Sequence, residues 1–388
     1  MKLSRRICLA LLLCLPTLGC AQQKAAHADD AGPHAYAGKP VSVAELEQIV
    51  APEEKKRDSA KARELFGLRL TERLSSARRA ALTAALPGTK AKEALTALAD
   101  ASDFLSLPPA EIPAKPAPDL NEQRRMVALT VDYLSRTIPR LPNFYATRTT
   151  IHYEDTEEDE DRPGVSVYTG ESLHWAGVST ATVIYRHGNE EVDAGPVKGK
   201  RSNPVEAGLV TRGTFGPILS TVILDAAHGQ ISFDHWELWT NGLVAVFGFA
   251  VEKAHSHYDV ALRNPSHGNA PEHPTQYHGE MSLDPETGAI VRLMLKADPE
   301  LGDAMVRADT LVEYGPVDIG GKTYICPVKS VSFSQGHSEM LVRTVVGLAT
   351  RAGPVITRLN DLTFGDYHVF RTEMRVLTGD DPPPDEKP

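Results

Sequence analysis

The alternation of apolar and polar residues is clearest over residues 276–297, where it predicts two strands of a hairpin. One set of residues alternates with polar neighbours and therefore shares one face of the first strand: Tyr277, Gly279, Met281 and Leu283. The chain then turns at Pro285, which presets φ, and at Gly288, which can take the positive φ of a short loop. A second set gives the returning strand an apolar face: Ala289, Val291, Leu293, Leu295 and Ala297. The pattern predicts an antiparallel pair with one side for a core and one side for water.

Further turn signals extend this pattern into a larger antiparallel sheet. Residue pairs suited to tight hairpin turns occur at three places: Gly188-Asn189, Asn241-Gly242 and Gly320-Gly321. Strands without such a signal are predicted at 256–262, 355–364 and 367–377. Turns of this kind join strands that are neighbours in sequence, so most pairing in the sheet should be between consecutive strands.

Two amphipathic helices are predicted to pack on this sheet. The first follows Asn121, a suitable N-cap, and one set of residues forms its apolar side: Met126, Leu129, Tyr133 and Leu134. The second covers residues 215–229, with Pro217 in its first turn and Gly229 at its C-terminal cap. Strands and helices together predict an α+β domain over residues 120–378.

The segment before this domain is predicted to be helical. Ser42 and Glu45 have the spacing of a capping box. Segments rich in Ala, Leu, Glu and Arg predict three further helices: 53–66, 71–86 and 89–104. Residues 41–106 therefore form a predicted small helical unit, and the proline-rich residues 107–119 form an extended linker to the next domain.

The N-terminus has the pattern of a secretory signal peptide over residues 1–21. Basic residues precede a short apolar run, 7–15, and Pro16 ends that run. The cleavage region allows two outcomes, a cut before Gln22 or a lipobox-like cut that leaves Cys20 as a lipidated first residue. Residues 22–40 then form a flexible tether, and residues 379–388 form a disordered tail. The protein is therefore expected to be periplasmic or cell-envelope, with membrane attachment only through a lipid on Cys20.

Charge and cysteine content argue against two classes of function, nucleic-acid binding and thiol chemistry. A formal charge of −10 on 388 residues argues against nucleic acid as a partner. Of the four cysteines, Cys8, Cys14 and Cys20 lie in or next to the predicted signal peptide. Cys326 lies within a predicted strand, where a small buried apolar residue is a better interpretation than a reactive thiolate.

Motifs that carry chemistry are missing from the sequence. It has no G-x-S-x-G, P-loop, H-E-x-x-H or C-x-x-C pattern, so no catalytic or cofactor-binding residue is assigned and no cofactor is expected. The strongest metal candidates are His255 and His257, which would share one face if they lie on a strand. A further ligand would have to come from elsewhere in the chain: His235, His278, His267 or His273. Histidines on the polar face of a sheet remain the more economical interpretation, and no metal site is assigned.

The sequence as a whole resembles a family of uncharacterised exported proteins common in Acidobacteria. The resemblance is carried by LTERLSSARRAAL, LPNFYATRTT, TRGTFGPIL, GEMSLDPETGAIVRL, VEYGPVDIGGKTYICPVKSVSF and FGDYHVFR. It covers nearly the whole mature chain and implies no function.

More loosely, residues 144–377 resemble the LolA/LolB/RseB-type periplasmic fold in the order of their helices and strands. That resemblance implies an unclosed antiparallel half-barrel that curls around one or two helices and offers an apolar face. It also implies a binding module for a lipid or for an acylated or peptidic ligand. The helical unit has no counterpart in that fold.

Three classes of function therefore remain open. A non-catalytic envelope module that binds a lipid or lipoprotein ligand is the first. A structural protein that docks an envelope partner through the helical unit is the second, and a hydrolase or metal-binding protein is the third. A cavity between sheet and helices would favour the first class, whereas a completely filled interior would favour the second.

Overall fold

The computed structural model describes most of the chain as an N-terminal helical unit and a large sheet with two helices. The described residues are 36–51, 57–86, 88–158, 166–168, 172–199, 208–209, 214–260, 262–264, 268–269, 273–299, 305–344 and 347–370. The predicted signal peptide with Cys20, most of the tether and the predicted tail lie outside the described residues. The proposed division into domains stays a prediction.

In its described residues, the N-terminal unit contains four α-helices and a two-stranded parallel pair. Its elements are β1 (Lys39–Val41), α1 (Val43–Val50), α2 (Asp58–Phe66), β2 (Leu68–Leu70), α3 (Ser76–Ala85) and α4 (Thr89–Ser102). The capping box is confirmed, because the Glu45 N–H donates to Ser42 Oγ at 3.2 Å and the Ser42 N–H donates to Glu45 Oε2 at 2.7 Å. The predicted helix start at residue 71 is wrong. The N–H groups of Arg73 and Leu74 instead donate to the Ser106 carbonyl and to Ser102 Oγ, which ties this non-helical segment to the end of α4.

Over the described residues the main sheet has ten antiparallel strands and is open, with β7 and β9 at its two edges. The strand order is β7-β6-β3-β19-β18-β17-β16-β15-β10-β9. The strands of the main sheet are β3 (Phe144–Glu154), β6 (His174–Arg186), β7 (Asn189–Gly199), β9 (Gln230–Trp239), β10 (Gly242–Val251), β15 (Gln276–Leu283), β16 (Ile290–Asp298), β17 (Met305–Asp318), β18 (Thr323–Thr344) and β19 (Gly347–Val369). Shorter strands outside it are β4 (Thr156–Glu158), β5 (Ser166–Tyr168), β8 (Gly208–Leu209), β11 (Asp259–Val260), β12 (Leu262–Asn264), β13 (Gly268–Asn269) and β14 (His273–Pro274). An open antiparallel sheet packed with a few helices confirms the α+β fold class.

Tight turns join the strands where the sequence predicts them. The hairpins β6–β7, β9–β10, β15–β16 and β17–β18 form at the expected turns. The prediction of two separate final strands, at 355–364 and 367–377, is wrong. Strand β19 is continuous and only shifts its register between Gly365 and His368. Asp366 takes a φ of 50° within that bulge, so the chain kinks without reversing.

In the middle of the sheet both faces are covered by other parts of the protein. The prediction that one face is exposed to water is therefore wrong there. The face that carries Leu293, Leu295 and Val312 packs on α5 (Leu120–Thr137) and α6 (Pro217–Ala226), and we call it the helix face. The opposite face, with Met294 and Leu311, packs on α4, and we call it the unit face. The prediction failed because consecutive apolar residues in β16 serve both faces at once.

The unit face has its own apolar core beneath the end of α4. Its buried residues are Ala97, Ala101, Phe104, Tyr153, Leu173, Met294, Leu311, Val331, Phe333 and Leu359. The first three belong to α4 and the residues just after it, and the others belong mainly to the sheet. The helical unit is therefore packed directly against the sheet through a shared core.

Candidate functional site

The apolar interior between the helix face, α5 and α6 is the first candidate site. Its buried side chains are Met126, Leu134, Ile218, Leu219, Val222, Trp236, Ala245, Phe247, Phe249, Val251, Tyr277, Met281, Leu283, Ile290, Leu293, Leu295, Val312 and Tyr314. Most of the predicted apolar sides lie in this cluster, with Met126 and Leu134 of α5 buried and Tyr133 packed against it, whereas Leu129 is not part of it. In β16 a register shift brings Ile290, rather than Val291, onto the helix face.

Side chains fill almost all of this interior. Where α5, α6 and the sheet meet, a cavity of about 20 Å³ remains. Its walls include Leu134 of α5, Leu219 of α6 and Ile290 of β16. A cavity of this size holds about one water molecule. An apolar ligand could enter this interior only if one of the helices moved.

Helix α6 is held at its C-terminal end by a buried carboxylate. Asp225 Oδ2 accepts hydrogen bonds from the Tyr277 hydroxyl at 2.8 Å and from the His257 backbone N–H at 2.9 Å. Asp225 Oδ1 lies 2.6 Å from His257 Nδ1. These bonds tie α6 both to β15 and to the segment after β10. They also satisfy a carboxylate that is buried at the edge of the apolar interior.

Helix α5 is held by the β15–β16 turn. Gly288 has a φ of +76°, and a Cβ there would lie 2.5 Å from the carbonyl carbon of Leu129 in α5. Glycine is therefore required at this position both for the turn and for the close approach of helix and turn. Arg125 adds a hydrogen bond from its Nη2 to the Pro285 carbonyl at 3.1 Å.

The helix face changes from apolar to polar along one cross-strand row. Starting at the apolar interior, register partners follow one another through Leu295, Thr310, Ser332, Asn360 and His152. The row crosses from β16 to β3, which is roughly 19 Å at a strand spacing of about 4.8 Å. One continuous surface of the sheet is therefore amphiphilic, with an apolar end beneath the helices and a polar end on β18, β19 and β3.

The predicted metal candidates do not come together. Residues 253–255 form a 3-10 turn and not a strand, so the argument that His255 and His257 share a strand face is wrong. His257 is bonded to Asp225, whereas the His255 ring stacks on His228 with ring centroids 5.8 Å apart. Among the described residues, no three His, Cys, Asp or Glu side chains are grouped so as to hold a metal ion.

The additional histidine candidates are also separate. His235 Nδ1 lies 2.8 Å from Asp234 Oδ2, and His278 Nδ1 lies 3.1 Å from Asp298 Oδ1. His273 belongs to β14, and His267 lies outside the described residues. Cys326 is buried, and burial raises the pKa of its thiol to about 12, which agrees with an inert apolar role.

A buried charge cluster lies between the unit and the sheet, and sequence reasoning missed it. The carboxylate of Asp100 in α4 accepts from Arg79 Nη1 at 2.8 Å and also from the Lys329 ammonium group on β18. Lys329 lies 3.8 Å from Asp361 on β19. Burial, together with the neighbouring Asp100 carboxylate, raises the pKa of Asp361 to about 7.

A second ion pair joins the unit to the β9 edge of the sheet. Arg73 Nη2 lies 2.5 Å from Glu237 Oε2, and His235 Nε2 lies 3.6 Å from the same oxygen. Burial alone would raise the pKa of Glu237, but interactions with His235 and Arg73 outweigh it and lower the pKa to about 2. Burial would likewise lower the pKa of His235, but Asp234 and Glu237 raise it to about 9. No pattern in the sequence marks these charged residues as partners.

Comparison of the sequence with protein families and with curated proteins finds no match. Among solved structures, the chain is similar to a domain from Vibrio parahaemolyticus described as an outer membrane lipoprotein-sorting protein. The alignment covers 64% of this chain and 94% of that domain, with 9% sequence identity and a TM-score of 0.25. The resemblance to exported proteins of Acidobacteria stays a prediction.

No helix in the described part of the chain has the length and apolar character needed to cross a membrane.

Proposed function

We propose that the protein is a cell-envelope binding module for an amphiphilic ligand with an apolar chain, such as a lipid or an acylated peptide. One observation carries this proposal, namely the row on the helix face that runs from apolar Leu295 to polar His152. An apolar chain would lie beneath the helices and a polar head group would lie at the other end of the row. Binding of this kind requires no catalysis.

The ligand would enter by displacing one helix, because the interior is filled. Helix α6 is tied by Asp225 to both Tyr277 and His257, whereas the turn at Gly288 and the side chain of Arg125 hold α5. Parts of a folded protein can open as units while the rest of the structure keeps its pairing, so one helix could move while the sheet stays intact.

The proposal is tested by purifying the protein from the envelope of an expressing bacterium without detergent. Native mass spectrometry should then show a bound species with the mass of a lipid, and solvent extraction should release it. Protein free of such a species, and unable to take up lipid from added vesicles, would contradict the proposal. Sequencing of the mature N-terminus tests the envelope location, for which Gln22 or a diacylated Cys20 is expected and a retained Met1 is the opposing result.

A second candidate function is the docking of a partner protein on the helical unit. The filled interior favours it, as does the outer face of α3, whose exposed residues are small: Ser76, Ala77, Ala80, Ala81, Ala84 and Ala85. A partner helix can approach such a face closely. A photoreactive amino acid placed at Ala81 should then capture an envelope protein, while the same probe at the exposed Asp132 of α5 should not.

A further inference from the structure

Three polar side chains on neighbouring strands form a hydrogen-bonded chain on the helix face. His152 on β3 has its Nδ1 2.8 Å from Oδ1 of Asn360 on β19. Its Nε2 lies 2.8 Å from Oγ of Ser179 on β6. Strand β3 lies between β19 and β6 in the sheet, so the imidazole of His152 links the two strands that flank its own. The order of groups is hydroxyl, imidazole and amide, which is the order in which serine hydrolases arrange a nucleophile, a base and an orienting group.

The orientation of the Asn360 amide bears on which imidazole nitrogen carries the proton. The amide presents its Oδ1 to His152, and its Nδ2 lies 3.3 Å from Ser332 Oγ, a hydroxyl that can accept this hydrogen bond. An amide oxygen only accepts hydrogen bonds, and His152 Nδ1 therefore carries the proton. The lone pair of Nε2 is left to accept the Ser179 hydroxyl proton. This is the tautomer that a general base needs when it activates a serine.

Ser179, the residue that would react with substrate, is more exposed to solvent than His152 and Asn360. His152 and Asn360 are 7% and 6% exposed, whereas Ser179 is only partly buried. The base and its orienting group are thus shielded from water, and the hydroxyl is the most accessible member. Thr150, on the same face of β3, lies directly opposite Ser179 in the strand register.

We propose that Ser179, His152 and Asn360 form an acyl-transfer site that hydrolyses carboxylic esters. Ser179 Oγ attacks the ester carbonyl carbon and forms a new C–O bond, while its proton passes to His152 Nε2. The bond to the leaving alcohol then breaks, and His152 returns that proton to the leaving oxygen. Water next attacks the acyl-serine, its proton passes through His152 back to Ser179 Oγ, and the carboxylic acid is released.

The substrate class follows from the surface beside the site. The cross-strand row leads from His152 to Leu295 and the apolar interior, so the substrate is an ester whose apolar acyl chain enters that interior when a helix moves. The activity is a further property of the same face and is not required for ligand binding. Sequence motifs could not show it, because Ser179 lies inside a strand and not on a G-x-S-x-G turn.

The direct test is labelling of the wild-type protein with a fluorophosphonate probe, followed by peptide mapping, which requires no variant. Ser179 should carry the label. Hydrolysis of p-nitrophenyl butyrate should fall by about 100-fold or more in Ser179→Ala, since the variant lacks the nucleophile that forms the acyl-enzyme. The control Ser135→Ala changes a hydroxyl on α5 that donates only to the Asp132 carbonyl, and it should leave the rate unchanged.

Asn360 is a positioning residue, and its role is tested by the pH dependence of the rate. In Asn360→Asp a carboxylate would favour the imidazolium, so the acidic limb of the rate profile should move to higher pH. An unlabelled Ser179 in the wild type, or equal hydrolysis in wild type and Ser179→Ala, would show that the three residues form a structural network only. Wild-type protein that binds a dansyl-labelled fatty acid but is neither labelled at Ser179 nor able to hydrolyse the ester would refute this inference alone, whereas wild-type protein that does not bind the fatty acid would refute the binding function.

Discussion

The guanidinium of Arg73 lies 2.5 Å from the carboxylate of Glu237, 164 positions further along the chain. Arg73 belongs to the segment before α3, and Glu237 belongs to β9 at the edge of the main sheet. Both side chains are more than nine-tenths buried. The contact therefore joins the helical unit to the sheet through a desolvated ion pair, and the unit is part of one packed structure with it.

Breaking this ion pair from one side should destabilise the protein strongly. Arg73→Met leaves the buried Glu237 carboxylate without its guanidinium partner, and a loss of about 3–5 kcal/mol in the free energy of unfolding is expected. The double variant Arg73→Met/Glu237→Leu should recover much of that loss. The exposed pair Asp132–Arg136 is the matched control, and its single variants should change stability by less than about 1 kcal/mol. Equal effects for the two pairs in urea unfolding would contradict the buried contact.

The burial of the helix face can be tested by replacing a buried and an exposed leucine, each with alanine. Leu293 is 0% exposed in the apolar interior, whereas Leu238 on β9 is 69% exposed. Leu293→Ala should cost about 2–5 kcal/mol, because it removes buried methyl groups and leaves a cavity. Leu238→Ala should stay within about 0.5 kcal/mol of the wild type. Urea midpoints measure both values, and equal midpoints would refute the assignment of faces.

Because the β15–β16 turn contacts α5, substitution by alanine should destabilise the protein more at Gly288 than at Gly321. Gly288 and Gly321 have φ values of +76° and +81°, so alanine at either position is strained by about 1–2 kcal/mol. A Cβ at Gly321 meets nothing within 4 Å, but a Cβ at Gly288 would clash with the backbone of Leu129. Gly288→Ala should therefore be clearly less stable than Gly321→Ala. Similar unfolding midpoints for both would mean that the turn does not contact α5 so closely.

The charge cluster beneath α4 predicts a stability that falls as pH rises. Burial and the Asp100 carboxylate raise the pKa of Asp361 from an ordinary 3.8 to about 7. Between these values the folded state binds more protons than the unfolded state, so this stabilisation is complete below about pH 4 and is lost as pH rises through about 7. Asp361→Asn removes this titration and should gain stability relative to wild type between about pH 5 and about pH 8.

The control for this pH effect is Glu286→Gln in the exposed β15–β16 turn. Its difference from wild type should stay constant over the same pH range. A constant difference for Asp361→Asn as well would show that Asp361 titrates in the folded protein as it does in the unfolded chain.

The hairpins could be predicted from sequence because their signals are local. Asn241-Gly242 and Gly320-Gly321 specify turns within a few residues, and the strands beside each turn pair with one another. The packing of the unit on the sheet has no such signal. Arg292 Nη2 donates to the Asp103 carbonyl at 2.6 Å across 189 positions, and no periodicity links the two residues.

The candidate sites also differ in whether a local sequence pattern predicts them. The apolar interior follows from the apolar faces of α6 and β15, and those faces could be read from spacing. The His152 network could not, since Asn360 lies 208 positions away and Ser179 has no motif around it. The metal hypothesis for His255 and His257 was wrong because His255 ends a 3-10 turn at residues 253–255, so the two histidines do not share a strand.

The central claim, that the helix face accepts an apolar chain beneath α5 and α6, is tested most directly by titration with a dansyl-labelled fatty acid. The wild type should show saturable binding at one site. Leu219→Ala enlarges the cavity where the helices meet the sheet and should bind the probe more tightly, because less of α6 must move. Leu224→Ala changes an exposed leucine on the same helix and should bind like wild type. Absence of saturable binding, or the same affinity for both variants, would contradict the claim.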